Sequence, residues 1–295
     1  MKKSKFLAVL LVICTIASMV MGCSANKTAS ANEAADSKTS EPKNRLEEII
    51  ARGYIEVATE PYFAPYEFID PSKSGNEQYV GSDIKLAQYI ADELGVELKI
   101  VPLEFSAVLS SITEGKYDLA ISALSYTPAR ALAMNMSKGY YFSSSGNDHG
   151  LLIRTEDAEN IKTSEDIKDK VIVAQSGSLQ ELFVNEQVPG YKEFKRVSAT
   201  TDGFLMVQEK KADVCATSIP TAQLYIEANK DSGLMIVEGF KFFVDEKTSG
   251  TRIGIPLGEE ELTDKVNAII DEVVKSGTFE QWHKEYSEYA KSLGL

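Results

Sequence analysis

Hydrophobic and polar positions alternate along the chain with two different periods. Residues 54–59 (YIEVAT) alternate one by one, which is the period of a strand with one buried face. Residues 81–95 (GSDIKLAQYIADELG) instead place apolar side chains three and four positions apart, which predicts an amphipathic helix. We expect Asp83 to cap the start of this helix and Gly95 to end it.

The same succession of strand-like and helix-like runs continues to the C-terminus. Strand patterns fall at residues 96–103, 116–124, 170–175, 212–218 and 251–258. Helix patterns fall at residues 45–53, 105–115, 178–184, 201–211 and 260–290. Strands that alternate with helices predict an α/β fold with mainly parallel sheets. About ten strands are too many for one small sheet, so the pattern favours two lobes.

The first 22 residues do not continue the alternation of strands and helices. Residues 1–22 combine lysines near the start with an apolar run that is short for a membrane span, and Gly22 precedes Cys23. This order is typical of a secretory signal peptide, and VMGC resembles a bacterial lipobox, although Met21 is less usual there. The resemblance implies cleavage before Cys23 and attachment of a lipid to its thiol, which would hold the protein at a membrane surface. The alternative is an ordinary signal peptide with an incidental cysteine.

Composition separates a tether from an acidic body. We assign residues 23–43, rich in Ser, Ala, Asn, Lys and Glu, to a flexible tether. The chain of 295 residues has a net charge of −13, and without the three lysines of the first 22 residues it carries −16. Such an acidic body argues against nucleic-acid binding. With Cys14 in the signal and Cys23 at the anchor, Cys215 is left without a disulfide partner and is expected in the core. We expect no metal and no cofactor.

Six stretches occur in an order that is typical of one family. They are RGYIEVATEPYFAPYEF, YVGSDIKLAQYIADELG, EFSAVLSSITEGKYDLAISALSYTPARALAMNMSKGYYF, VIVAQSGSLQELF, KKADVCATSIPTA, and TRIGIPLGEEELTDKVNAII followed by SGTFEQW. Over about residues 45–290 the chain resembles the family 3 solute-binding proteins, the extracytoplasmic amino-acid receptors of ABC importers. The resemblance implies a permease and an ATPase as partners, and a place at the extracytoplasmic face of a bacterial membrane.

The resemblance also implies an architecture. Two Rossmann-like lobes would be joined by a two-strand hinge, as in type II periplasmic binding proteins. Lobe 1 would comprise residues 45–142 plus 250–295, and lobe 2 residues 143–249. A small amino acid or related carboxylate would bind in the cleft, at the carboxyl ends of strands, and the lobes would close around it.

The stretch ISALSYTPAR begins as a buried strand and ends in hydroxyls and a lone cation, Arg130. A guanidinium can hold both oxygens of a carboxylate, and the family's carboxylate-binding arginine occupies the place of Arg130. By the same resemblance, Ser122, Ala123 and Ser125 would contact the carboxylate and the amino group of the ligand. The alternative is a surface arginine after a turn, with the hydroxyls capping a helix that begins at Pro128.

Aromatic residues and an acid occupy the positions that hold the ligand side chain in the family. The resemblance implies that Phe63 and Phe105 form two walls, whereas Tyr66 and Phe68 are expected to pack in the interior. Glu60 follows a predicted strand and would pair with a cationic ligand side chain, because a buried unpaired carboxylate is costly. The site would therefore favour a polar or basic amino acid. The alternatives are core packing for the aromatics and a solvated loop for Glu60.

The stretch QSGSLQE has the family's glycine turn before a helix. Backbone N–H groups at a helix N-terminus favour an anion. The resemblance implies that Ser178 and Leu179 face the ligand carboxylate and that Gln180 reaches the ligand side chain.

One position departs from the family pattern. In a D-A-x-x-x-D-x-P arrangement the second acid binds the ligand's α-ammonium, but here DVCATSIP has Asp213 as the first acid and Ser218 in the second place. A hydroxyl supplies no charge, at a cost of about 1.5–3 kcal/mol relative to a charged partner. Either Glu60 or another acid substitutes, or the ligand is not a standard α-amino acid.

Two other functions stay open. An enzyme similar to the cyclohexadienyl dehydratases would use an acid such as Glu60 to protonate a leaving hydroxyl in the same cleft. A sensor subunit would present its ligand to a membrane receptor. The histidines favour neither function, because His149, beside Asp148, has no nucleophile placed with it, and His283 is expected at the surface.

Overall fold

The computed structural model describes residues 42–143, 148–245 and 249–295. Cys23, the predicted signal peptide and nearly all of the predicted tether lie outside these residues. Within them, no helix is both long enough and apolar enough to cross a membrane. The same ranges contain no group of three or more His, Cys, Asp or Glu side chains placed to hold a metal ion.

The strands and helices are numbered here in chain order. The strands are β1 (Tyr54–Thr59), β2 (Tyr62–Phe63), β3 (Glu67–Ile69), β4 (Tyr79–Val80), β5 (Glu97–Pro102), β6 (Leu119–Ser125), β7 (Met134–Met136), β8 (His149–Arg154), β9 (Val171–Gln175), β10 (Glu193–Val197), β11 (Val214–Ser218), β12 (Leu234–Ile236) and β13 (Thr251–Pro256). The α-helices are α1 (Arg45–Arg52), α2 (Ser82–Leu94), α3 (Phe105–Thr113), α4 (Pro128–Ala133), α5 (Leu179–Gln187), α6 (Thr200–Gln208), α7 (Ile219–Ala228), α8 (Glu260–Ser276) and α9 (Thr278–Leu293).

Two five-stranded sheets confirm the predicted two-lobed α/β architecture. The first has the order β5-β1-β6-β13-β7 and the second the order β10-β9-β11-β8-β12. The expectation of mainly parallel sheets is wrong, since each sheet contains two parallel and two antiparallel pairings. β8 and β13 are each the first strand that the chain forms after it passes from one sheet to the other. Both run antiparallel to the neighbouring strands of their sheet.

The sequence pattern also missed a small sheet, β2-β3-β4, which the chain forms before α2. Its strands are two or three residues long, too short to show a period. The predicted lobe boundaries (45–142 plus 250–295, and 143–249) stay predictions, because residues 144–147 and 246–248, close to the two predicted junctions, lie outside the described ranges.

Each sheet is covered by helices whose apolar faces fit the sequence pattern. In the first lobe, Leu86 and Ile90 of α2 are fully buried against β1 and α8. Burying each such side chain stabilises the fold by roughly 1.5–3 kcal/mol. In the second lobe, Cys215 lies in the core between β11 and α6, as predicted, and burial raises the pKa of its thiol.

The start of α2 differs from the prediction. Gly81 precedes the helix at φ 134°, and a Cβ there would overlap the Tyr66 carbonyl, so a glycine is required. Asp83 does not cap the helix. Its Oδ2 accepts hydrogen bonds from the Ala123 N–H and the Tyr140 hydroxyl, both at 2.7 Å. The acid of this helix therefore braces the end of β6.

Candidate ligand-binding cleft

The carboxyl ends of the parallel strands of both sheets converge on one cavity of about 210 Å³. β1, β6, β9 and β11 end beside it. All eleven residues predicted to bind a ligand line this cavity: Glu60, Phe63, Phe105, Ser122, Ala123, Ser125, Arg130, Ser178, Leu179, Gln180 and Ser218. The fold thus brings the predicted set together, and ligand contact itself stays a prediction.

Arg130 is buried, with 9% of its surface exposed, so the surface alternative is wrong. The expected cap is nevertheless present, since Thr127 Oγ1 accepts the Arg130 N–H at 3.1 Å at the start of α4. The guanidinium lies 5.5 Å from the centre of the Phe105 ring. Its Nη1 donates to the Ser125 carbonyl (2.7 Å) and its Nη2 donates across the cleft to the Gly177 carbonyl (2.9 Å).

The charge of Arg130 is not neutralised by the described residues. Burial lowers the pKa of its guanidinium to about 10, so the group stays cationic at neutral pH. Within the described ranges no carboxylate oxygen lies within 4 Å of it. Among the described residues its side chain donates to two carbonyls, which leaves further N–H donors available for an anion.

Glu60, directly after β1, is an acid that lines the same cavity as Arg130. It is 1% exposed, so the solvated-loop alternative is wrong. The side chain is hydrogen-bonded to Gln175, and its Oε1 is buried without a hydrogen-bond partner. Burial, with a smaller contribution from the charge of Asp202, raises the pKa of Glu60 to about 8. No cationic side chain of the described ranges pairs with it.

Two buried carboxyl groups support the floor of the cavity. Ser122 Oγ donates to Glu67 Oε1 at 2.9 Å, and Glu67 is hydrogen-bonded to Asp83. Burial raises the pKa of both acids, which favours their protonated forms. Asp83 in turn holds Ala123, whose φ of 47° lies in the left-handed region that favours glycine. The strained end of β6 is thereby fixed.

The hydroxyl of Ser122, expected to contact a ligand, is already engaged in two hydrogen bonds within the protein. Besides donating to Glu67, its hydroxyl accepts the Glu60 N–H at 3.1 Å. Both of these partners are protein groups beneath the cavity. The hydroxyl therefore ties β6 to the end of β1, and Ser122 faces the cavity without a hydroxyl proton to donate.

The second lobe contributes the start of α5. Ser178 caps this helix, since its Oγ accepts the Glu181 N–H at 3.1 Å. Gln180 Nε2 donates to His149 Nδ1 at 3.0 Å in the tautomer that leaves this nitrogen unprotonated. Burial lowers the pKa of His149 to about 4, so the ring is neutral. The helix N-terminus and a neutral amide thus form this wall of the cavity.

Several lining residues were missed by the sequence analysis. Tyr66, expected only to pack, also lines the cavity, as do Tyr141, Asp148 and Gln175.

His283 was expected at the surface, but its ring lies 4.6 Å from that of Tyr66, and its Nδ1 lies 3.1 Å from Ser82 Oγ. His283 is drawn inward because α9 packs on α2, a contact between distant parts of the chain. Gln175, by contrast, could have been found from the sequence, because it is a polar residue at the end of a buried strand.

The comparisons with known proteins agree with this geometry. Residues 55–289 match the family model of bacterial extracellular solute-binding proteins, family 3. The arginine-binding extracellular protein ArtP of Bacillus subtilis (strain 168) is 26% identical over 238 residues, with 78% of this chain and 84% of the relative covered.

Two solved structures are similar over most of the chain. An amino acid ABC transporter substrate-binding protein from Streptococcus pneumoniae Canada MDR_19A, bound to L-arginine, is 30% identical with a TM-score of 0.73, covering 82% of this chain and 97% of that one. The ancestral amino acid-binding protein AncCDT-1, a precursor of cyclohexadienyl dehydratase, is 26% identical with a TM-score of 0.69, covering 82% and 98%. With two α/β lobes around one cavity and a family match over most of its length, the chain belongs to the bacterial extracellular solute-binding proteins of family 3.

Proposed function

We propose that this protein is the extracytoplasmic receptor of an ABC importer and that it captures a cationic amino acid of the arginine type. One observation carries the proposal. A buried guanidinium (Arg130) and a buried carboxyl group (Glu60) line the same cavity, and neither has an opposite charge beside it within the described residues. An isolated buried cation is costly, so Arg130 favours a ligand that brings a carboxylate. A ligand cation would in turn favour the ionised form of Glu60, which no cation of the described chain stabilises.

The walls of the cavity support the same ligand class. Phe63 presents an aromatic face that is stacked on Tyr66 with ring centres 5.7 Å apart. Aromatic faces attract guanidinium and ammonium groups and also cover aliphatic stems. The names of relatives point the same way, since ArtP is an arginine-binding protein and the S. pneumoniae structure contains L-arginine.

Ligand identity is tested by calorimetry and thermal unfolding on protein freed of any ligand by unfolding and refolding. We expect arginine, and more weakly lysine and ornithine, to raise the Tm, because a ligand at a hundred times its Kd stabilises the folded state by about 2.7 kcal/mol. Glutamate and aspartate serve as controls that share the backbone but reverse the side-chain charge. Stabilisation by these acids without any by arginine would refute the assignment.

Membrane attachment is a separate part of the proposal. We infer from VMGC that Cys23 carries the lipid and that the receptor hands its ligand to a permease with its ATPase. Mass spectrometry of protein purified from membranes should find the N-terminal cysteine with a diacylglyceryl mass. A Cys23→Ala variant that stays in the membrane fraction would contradict the anchor.

A second function rests on one observation. A carboxyl group with a pKa near 8, as burial gives Glu60, is mostly protonated at neutral pH and could serve as a general acid in a dehydration. AncCDT-1, described as a precursor of a dehydratase, has the same fold. Incubation with prephenate or arogenate decides the matter, and we expect no aromatic product to form.

A further inference from the structure

A second cavity, of about 620 Å³, meets the ligand-binding cleft at Glu60, which lines both. Its walls come from the small sheet β2-β3-β4, from residues 102–104 after β5 and from residues 198–202 at the start of α6. Its volume lies in the range of small-molecule sites, about 300–1,000 Å³. The proposed function, on which this inference rests, does not use this space.

Glu60 and Gln175 lie at the boundary between the two cavities. Gln175 lines the cleft, and its Nε2 donates at 2.9 Å to the carbonyl of Ser198, which lines the second cavity. Gln175 is also hydrogen-bonded to Glu60, whose Oε1 is buried without a hydrogen-bond partner. The boundary therefore contains a buried carboxyl oxygen that needs a donor, and a ligand group that passes it could supply one.

The second cavity is lined by acidic and aromatic side chains. Glu104 and Asp202 are exposed acids, and Tyr62 and Tyr79 contribute rings. None of the described residues that line this cavity is basic. Burial, and to a smaller extent the charge of Asp202, raises the pKa of Glu60, so the two acids are close enough to repel. A cation beside them would relieve this repulsion.

Two other occupants fit the second cavity less well. The N-terminus of α6 would favour an anion, but Asp202 lies in the first turn of this helix and offsets its positive end. The acids do not form a metal site, since no three His, Cys, Asp or Glu side chains of the described ranges converge to hold an ion. The chemistry of the cavity therefore favours an organic cation.

We propose that the ligand side chain extends past Glu60 into the second cavity and that the ligand class is a cationic amino acid with a second cation further along its side chain. The first cation binds Glu60 Oε1 from the cleft. The second cation lies near Asp202 and Glu104, and Tyr62 and Tyr79 cover the chain that joins the two. Unsubstituted arginine would fill the cleft alone.

The test compares three ligands by calorimetry. They are L-arginine, Nω-(4-aminobutyl)-L-arginine, which adds the second cation, and Nω-butyl-L-arginine, which adds a chain of the same carbon length without the charge. We expect the protein to bind the aminobutyl compound about two- to fivefold more tightly than the butyl compound, the scale of one exposed ion pair.

Asp202→Asn should remove most of this preference for the aminobutyl compound. The same variant should bind L-arginine as tightly as the wild type or slightly more tightly, because loss of the Asp202 charge favours the ionised form of Glu60. Asp231→Asn is the matched control, since it removes an exposed acid that lines neither cavity, and it should keep the preference.

A charge reversal keeps the test decisive. Asp202→Lys should bind Nω-(3-carboxypropyl)-L-arginine more tightly than the aminobutyl compound, whereas the wild type should prefer the aminobutyl compound.

Four results would overturn the inference while leaving the proposed function intact. The wild type binds L-arginine but neither Nω-butyl nor Nω-aminobutyl arginine, or it binds these two equally. Asp202→Asn keeps the preference, or Asp231→Asn loses it. Wild-type protein that binds none of the three ligands would overturn the proposed function together with the inference.

Discussion

The raised pKa of Glu60 predicts that affinity for a cationic amino acid increases with pH. With its pKa at about 8, Glu60 is mostly protonated in the unliganded protein at pH 7. A ligand cation favours the carboxylate, so binding must release a proton. The perturbation is therefore a change of pH between 6 and 8, together with the Glu60→Gln variant, which keeps the shape but has no proton to lose.

The magnitude follows from the ionised fraction of Glu60. With a pKa of about 8, about 1% of the group is ionised at pH 6, about 9% at pH 7 and half at pH 8. If the carboxylate form binds the cation, the association constant for arginine should rise about fiftyfold from pH 6 to pH 8. At pH 7 the binding of each arginine should release about 0.9 proton.

Calorimetry at pH 7 in phosphate and in Tris measures the released proton, because the two buffers differ in heat of ionisation. Burial lowers the pKa of His149 and of His283 to about 4, so neither ring should titrate in this range. The other buried acids around the cavity are Glu67 and Asp83, and both are retained in Glu60→Gln. This variant should show a flat profile, close to the wild-type affinity at pH 6.

Two results would refute the reasoning. One is a wild-type affinity for arginine that does not change between pH 6 and 8. The other is a slope that persists in Glu60→Gln, which would assign the proton to the Glu67–Asp83 pair. The sign for stability is opposite to that for affinity. An acid with a raised pKa stabilises the unliganded fold fully below its ordinary pKa of 4.5, and this contribution is lost as the pH rises towards 8.

Three further predictions concern single residues. Arg130→Ala should abolish the binding of any carboxylate ligand measurable by calorimetry, because it removes the cation that has no ion-pair partner in the described chain; retained affinity would contradict its role. Asp83→Ala should lower the free energy of unfolding by about 3 kcal/mol in urea, since it removes the acceptor of two buried hydrogen bonds; a loss below about 1 kcal/mol would count against the buried network. Gly81→Ala should lower the free energy of unfolding by about 3 kcal/mol or more, because the added Cβ would overlap the Tyr66 carbonyl. Gly53→Ala, at φ 77° with open space around it, should lower it by about 1 kcal/mol. Equal losses for the two variants in urea unfolding would contradict the overlap.

Much of the fold could be predicted because burial imposes a local period on the sequence. β1 and α2 each present one face to the core of the first lobe, so their apolar positions repeat every two residues or every three to four. The same logic located Glu60, a polar residue at the end of a buried strand. Gln175 occupies an equivalent place at the end of β9 and was missed. Strands shorter than four residues, such as β2 and β4, carry no readable period.

The sequence by itself determined the α/β class, the strand ends that surround the cavity and the residue types available there, because these depend on neighbours in the chain. Tertiary structure decided which side chains meet. Asp83 follows a helix start, yet it braces Ala123, 40 residues away. His149 lies opposite Ser218 only because β8 pairs antiparallel with β11. Such contacts join residues far apart in the chain, and no local period of hydrophobic positions encodes them.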